Sequence, residues 1–271
     1  VEDLVVEDQT VKGVILDDGT TYLSKTVILT TGTYLKAEIL VGHSKHASGP
    51  DQQKDSKFLS EKLKDMDIKN FYVSPLGRAR DTASFTLEKK GQKAEVCDWL
   101  REFDAPITGS DGQKKITWDW IPGEWTKEEK YYNKDLWYTT PVMQEGNVIA
   151  EANKVYAGLD SLLAKHGYVR NGNCYDAVKP NNDTIALFCH FGVGCVMLGH
   201  ILGISPMVLW HGFCALPSSV TTLATEERRK GTACFRVLSY GDTSHLYVAG
   251  EEPSFAARFC ETYDNKGERH D

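Results

Sequence analysis

Asn70-Phe71-Tyr72-Val73-Ser74-Pro75-Leu76-Gly77-Arg78-Ala79-Arg80-Asp81-Thr82-Ala83 is a short apolar run, a Ser-Pro break and then the start of a helix. The run reads as a strand over Asn70–Val73, and Ser74-Pro75-Leu76-Gly77 closes it. The helix is expected from about Arg78 to Lys89. This junction places a permanently charged guanidinium where free backbone N–H groups and the helix dipole already favour an anion. Guanidinium forks match the oxygens of a phosphoryl dianion. Outward from it the same rhythm repeats. Ala94–Trp99 is extended and ends at Leu100-Arg101-Glu102. Val148–Lys165 is a helix stopped by His166-Gly167. Thr184–Cys189 is an apolar strand followed by His190 and a helix over Gly192–Leu202. Ser218–Thr225 and Cys234–Tyr240 are late strands around the charged turn Glu226–Gly231. Strands alternating with helices imply an α/β layered sheet with flanking helices.

The chain has 271 residues, enough for one large or two small domains, with 41% apolar and 25% charged residues. Its net charge of -7 argues against a general nucleic-acid or membrane surface, so any anion must bind in a locally basic pocket. No apolar run approaches the ~20 residues that cross a bilayer, and no signal peptide is expected. Cysteines stand at 97, 174, 189, 195, 214, 234 and 260, an odd number with no Cys-x-x-Cys pair. Free thiols and a cytoplasmic location are expected. Val1 stands inside a strand where an initiator Met is expected, so the chain reads as a fragment.

Two further elements carry candidate chemistry. Glu102 follows a strand and a turn, and a carboxyl used as a general acid belongs in a pocket that raises its pKa. Alternatively it is an exposed surface glutamate. In Ile185-Ala186-Leu187-Phe188-Cys189-His190-Phe191-Gly192-Val193-Gly194 a buried strand delivers a histidine to its C-terminal end, where ligands of open α/β sheets bind. The alternative is a satisfied core histidine. That bland reading is preferred for His200, His211 and His245, which lack this context.

Taken in order, these three motifs resemble the histidine-phosphatase (phosphoglycerate-mutase-like) superfamily over residues 68–271. The resemblance implies a three-layer phosphoglycerate-mutase-like sheet, a phosphate monoester substrate and no metal. It implies that Arg78 and the Gly192 helix start bind the phosphate. It makes Glu102 the proton donor to the leaving oxygen, and His190 a donor to the phosphoryl group in the transition state. Phe191 stands where the family commonly has glycine. The family opens with a strand ending Arg-His-Gly, whose histidine becomes phosphohistidine. No Arg-His-Gly occurs in this chain. The nearest substitute is His43, after the strand Glu38–Val41, with Gly42 where arginine belongs. Glu38–Val41 is also the segment that could fill the place of the missing first strand.

Residues 1–64 carry a second resemblance. Val1-Glu2-Asp3-Leu4-Val5-Val6, Gly13-Val14-Ile15, the run from Ser24 through Thr30-Thr31-Gly32-Thr33 to Leu35, and Ser48-Gly49-Pro50 resemble the GidA family of FAD-dependent tRNA wobble-uridine-modifying enzymes. That implies a small β-rich flavoprotein fragment joined to the phosphatase-like part near residues 62–69, in which Glu38–Val41 and His43 are alternatively flavoprotein residues in a chance position. Its Gly-rich dinucleotide fingerprint is expected upstream, so FAD is implied only by this partial piece and no cofactor is expected to bind. Three functions follow. The first is an impaired phosphohydrolase working through phosphohistidine. The second is a non-catalytic phosphate-binding remnant of a chimeric gene, and the third a fragment of a tRNA-modifying flavoenzyme. The expected partner is a small phosphorylated substrate or inorganic phosphate, with no nucleic acid and no membrane. Residues 105–147, rich in Trp and Tyr, read as an irregular insertion serving either as a lid or as packing.

Overall fold

A computed structural model describes residues 57–253 and 261–265, with side chains from 59 onward, together with the backbone of five N-terminal strands. The chain divides into two compact units, Val1–Pro50 and Asp51–Asp271. In the first, β1 (Asp3–Glu7), β2 (Thr10–Ile15) and β3 (Thr21–Leu23) form an antiparallel sheet in that order. β4 (Glu38–Val41) pairs antiparallel with β5 (Ser44–Ala47), Ile39 opposite His46. The segment considered as a replacement strand is one arm of a hairpin. His43 lies outside the described residues.

The second unit opens with α1 (Lys57–Lys64), β6 (Ile68–Val73), α2 (Gly77–Lys90) and β7 (Ala94–Val96). The segment read as an insertion follows. It holds a hairpin of β8 (Pro106–Thr108) and β9 (Lys114–Ile116), the short helices α3 (Pro122–Trp125) and α4 (Pro141–Glu145), and two single 3₁₀ turns. Then come α5 (Val148–Lys165), β10 (Tyr168–Asn171), β11 (Cys174–Ala177), β12 (Thr184–Phe188), α6 (Phe191–Leu202) and α7 (Pro206–Gly212). β13 (Val220–Arg229), β14 (Thr232–Asp242) and α8 (Ser244–Val248) complete it.

The parallel sheet runs β12-β6-β7. Its register sets Ala186 opposite Phe71, Leu187 opposite Tyr72 and Phe188 opposite Val73. Side chains alternate across a strand, so each face needs its own cover. Phe71, Val73 and Phe188 pack with Leu59 and Leu63 of α1 and Ala79 and Ala83 of α2. On the other face Tyr72, Ile185 and Leu187 pack with α5 and α6 through Leu159, Leu163, Val193 and Val196. Helices on both faces make the three-layer α/β arrangement expected from the sequence. The antiparallel sheet β10-β11-β14-β13 stands beside it.

Two local features explain where the chain turns. Gly91 caps α2 in the left-handed region at φ 61°, its N–H donating to Glu88 O. α1 belongs by sequence to the flavoprotein-like stretch, yet its leucines fill the core of the second unit. The structural boundary at Pro50 and the expected sequence junction at 62–69 are thus different places in the chain. Among the described residues β12 has β6 as its sheet neighbour, and Thr184, Ile185, Ala186 and Leu187 stay half-buried. A parallel strand apolar on both faces is ordinarily buried on both. Among the described residues, that edge of the sheet is therefore only partly covered.

Candidate active site

The three parallel strands deliver polar side chains to their C-terminal ends. β6 ends at Val73, and the next residue, Ser74, is fully buried. α2 then begins at Gly77, so Arg78 sits in its first turn. β12 ends at Phe188, and His190 caps α6 with extended backbone. β7 ends at Val96, and a 3₁₀ turn over Asp98–Leu100 leads to Glu102.

Arg78 Nε–H donates to His190 Nδ1 at 3.0 Å, and His190 Nε2 lies 2.8 Å from Ser74 Oγ. Arginine has no acceptor, so Nδ1 must be the bare nitrogen. His190 is therefore neutral with its proton on Nε2, donated to Ser74 Oγ. Burial, reinforced by the Arg78 charge, pushes the imidazole down to about 3. Ser74 Oγ also accepts from Leu76 N–H at 3.2 Å, which fixes the turn before Arg78. Arg80 points to solvent, so among the described residues the arginine held at the site is Arg78.

Glu102 is anchored by backbone. Its Oε1 accepts from Phe103 N–H at 2.8 Å and from Val193 N–H at 3.1 Å, the latter in the first turn of α6. Burial raises its carboxyl pKa, opposed by those N–H groups and by the Arg78 charge. Gly192 permits this approach. A Cβ there would lie 2.8 Å from Glu102 Oε1 and 2.7 Å from Trp118 Cδ1. Trp118 cannot retreat freely, because its indole N–H donates to Phe103 O at 2.9 Å and its ring meets Phe191 edge-on. Gly192→Ala is expected to destabilise the unit by about 1–3 kcal/mol, read as a lowered urea midpoint. An unchanged midpoint would mean that Glu102 and Trp118 are not held as described.

Sequence reading brought Arg78, Glu102, His190 and Gly192 together. It missed Ser74 and Trp118. Ser74 lay inside the opening motif and could have been found as the hydroxyl beside the arginine. Trp118 had no local signal. Of the other histidines, His200 and His211 have structural partners, whereas both ring nitrogens of His245 are buried without a hydrogen-bond partner. His200 Nε2 is 2.9 Å from Asp160 Oδ2 with its ring stacked on Tyr156. His211 Nδ1 donates to Met207 O at 2.8 Å, while Nε2 accepts from Trp120 N–H at 3.1 Å. His245 is buried in α8. Cys189 and Cys195 are inert neighbours, their thiols pushed up to about 12 by burial. A cleft of about 310 Å³ lined by Thr108, Ser110, Trp120, Glu124 and Lys127 lies elsewhere and shares none of the site's residues. Among the described residues no group of three or more His, Cys, Asp or Glu side chains could hold a metal ion, and no helix is long and apolar enough to cross a membrane.

Fold and site together define an α/β unit with an arginine–imidazole pair at the carboxyl ends of parallel strands. Comparison with known proteins gives two separate likenesses. The family model described as glucose inhibited division protein A matches residues 1–101. The tRNA uridine 5-carboxymethylaminomethyl modification enzyme MnmG of Acholeplasma laidlawii is 42% identical over 111 residues, 40% of this chain and 18% of that protein. MnmG of Bacillus thuringiensis is 50% identical over 66 residues, 24% of this chain and 10% of its own length. The chain thus spans less than a fifth of these curated relatives. Among solved structures, phosphoserine phosphatase from Entamoeba histolytica in complex with 3-phosphoglyceric acid is 17% identical. Its TM-score is 0.48, covering 73% of this chain and 88% of that one. Bacillus stearothermophilus YhfR is 18% identical with a TM-score of 0.46, covering 73% and 85%.

Proposed function

We propose that residues 68–271 form a phosphate-monoester site of the histidine-phosphatase type whose turnover is impaired. The observation that supports it most is the hydrogen-bonded chain Arg78–His190–Ser74 at the ends of two parallel strands. A phosphoryl dianion entering there takes the Arg78 donors and leaves His190 Nδ1 free to accept a proton. The imidazole then becomes a second cation against the phosphoryl oxygens. Glu102, its pKa raised by burial, is suited to protonate a leaving alkoxide. The covalent step is where the chain falls short. Its sequence holds no Arg-His-Gly, the motif that carries the usual nucleophile and the second arginine of the clamp. His43 is the candidate replacement, and its role is a proposal resting on sequence alone. Residues 1–64 are read as a flavoprotein-derived piece. FAD has no part in this reading, because the sequence contains no Gly-x-Gly-x-x-Gly run to seat a pyrophosphate. A cytoplasmic setting belongs to the same reading, supported by the unpaired thiols Cys97, Cys189 and Cys195.

A second reading, a phosphate-binding remnant without turnover, is favoured by the same missing motif. Losing a covalent nucleophile costs several orders of magnitude, while binding effects persist. Two measurements on the full chain separate the readings. Inorganic phosphate should protect it against thermal unfolding. Arg78→Met should weaken that binding by roughly 10- to 100-fold, as expected for loss of charge-assisted hydrogen bonds. Hydrolysis of p-nitrophenyl phosphate should be slow and should disappear in His43→Ala if that histidine has been recruited. Turnover unaffected by His43→Ala would remove it as a nucleophile. Failure of phosphate to protect the wild-type chain would remove both readings.

A further inference from the structure

The antiparallel sheet sets two cysteines side by side, away from the phosphate site. β11 and β14 pair with Tyr175 opposite Ala233 and Asp176 opposite Thr232. One step further along that register Cys174 stands opposite Cys234. Ala177 N–H donates to Gly231 O at 3.0 Å, so that pair is hydrogen-bonded. Hydrogen-bonded and non-hydrogen-bonded pairs alternate along an antiparallel ladder. Cys174 and Cys234 therefore form a non-hydrogen-bonded pair. The opposite side of β11 agrees. β10 and β11 close with Asn171 opposite Cys174 across the two-residue turn Gly172-Asn173, so the Cys174 backbone groups face β10.

The type of pair matters. Non-hydrogen-bonded partners have Cα atoms about 4.5 Å apart with converging side chains, inside the roughly 4.4–6.8 Å range that a disulfide spans. The sheet also aims both sulfurs outward. Tyr175 and Ala233, the adjacent pair, are each 1% exposed and point into the core. Cys174 is exposed and Cys234 half-buried beside it. Cys234 Sγ–H donates to Glu226 Oε2 at 3.6 Å, from the residue opposite it on β13. Glu226 is held in turn by Arg228 and Arg236 at 2.5 and 2.7 Å.

We propose that Cys174 and Cys234 are a reversible cross-strand dithiol that reacts with low-molecular-weight disulfides of the glutathione type. The exposed Cys174 thiolate attacks one sulfur of the external disulfide. That S–S bond breaks, one small thiolate leaves, and a mixed disulfide remains on Cys174. Cys234, its proton lost to water, attacks the Cys174 sulfur and expels the second small thiolate. The protein loses two thiol hydrogens, and the external disulfide is reduced to two thiols. Burial and the Glu226 contact hold the Cys234 thiol above its ordinary pKa, which makes the second step the slower and the more base-dependent. The new bond joins the β10–β11 hairpin to the β13–β14 hairpin.

The test is treatment of the full chain with glutathione disulfide, followed by intact mass and mapping of linked peptides. The wild-type chain should lose two hydrogens, yield one peptide linking Cys174 to Cys234, and revert with dithiothreitol. Cys234→Ser should instead hold glutathione on Cys174 as a stable adduct. Cys174→Ser should form no intramolecular bond. Both positions face outward, so serine should leave the fold intact, which circular dichroism checks. A wild-type chain that stays unmodified at these positions, that keeps an unresolved adduct on Cys174, or that links either cysteine to another partner would overturn the proposal.

Discussion

As the pH falls from 6.5 towards 3, the folded chain should lose on the order of 4 kcal/mol of stability through His190 alone. Its folded-state pKa lies below the unfolded value of 6.5. Between the two values the unfolded chain binds a proton and the folded chain does not, so acid favours unfolding. The physical cost is plain. A proton on Nδ1 would face the Arg78 N–H 3.0 Å away, inside a half-buried pocket. His200 and His211, also held low by burial, act in the same direction. Glu102 acts oppositely. Its raised carboxyl adds stability that is fully present below the ordinary carboxylate value and is lost as the pH rises through its folded value. The His190 share is isolated by comparison with His190→Gln, whose amide offers an acceptor to Arg78 and a donor to Ser74 without titrating. Urea midpoints measured across this window should fall more steeply in the wild-type chain than in the variant. Parallel curves would mean that His190 is not the neutral acceptor of Arg78.

Trp137→Ala should cost about 3–5 kcal/mol, a large part of the stability of an ordinary domain. Trp137 is 0% exposed, and its ring meets Trp210 and Tyr138 edge-on with centroids 5.7 Å away. Met143, Val148 and Leu100 are fully buried in the same cluster. Alanine would leave a cavity that these rigid neighbours cannot fill. By contrast Ile121→Ala, at 55% exposure in the same segment, should change stability by no more than ~0.5 kcal/mol. The two midpoints decide between the readings of residues 105–147. A lid would respond to Trp137→Ala in substrate binding while its stability held. The packing observed predicts the reverse.

The parallel-sheet core was legible because its strands are apolar runs followed at once by turn residues. Ile68–Val73 and Thr184–Phe188 differ from the sequence reading by one or two residues at an end. Ile68 was left out because Lys69 and Asn70, both exposed, interrupt the apolar pattern after it. Elements without such a run were missed. The β10–β11 hairpin carries Arg170 and Asp176 inside four-residue strands, so its Asn-Gly turn went unread. α7 starts at Pro206, whose ring suits the first helical position, and is too short to show a period.

The site followed the same logic. Arg78, Glu102 and His190 each come shortly after a strand or its closing turn, so their order along the chain placed them at one sheet edge. Trp118 is joined to the site only by long-range contacts to Phe103 O and Gly192, which no local pattern encodes. The fate of the insertion was closed for a related reason. Aromatic composition is the same for a lid and for a core, and burial alone distinguishes them.

In the proposed site of Arg78, His190 and Ser74, a bound anion replaces the imidazole as the partner of Arg78. Sulfate tests it most directly, because it does not titrate in the range where His190 would. The measurement is the ¹⁵N NMR spectrum of the His190 ring during a sulfate titration below neutral pH. Nδ1 should start as an unprotonated acceptor and move to the protonated position as sulfate binds, with tighter binding at lower pH. Ring nitrogens that do not shift at saturating sulfate, or an already protonated Nδ1 in the free chain, would contradict it.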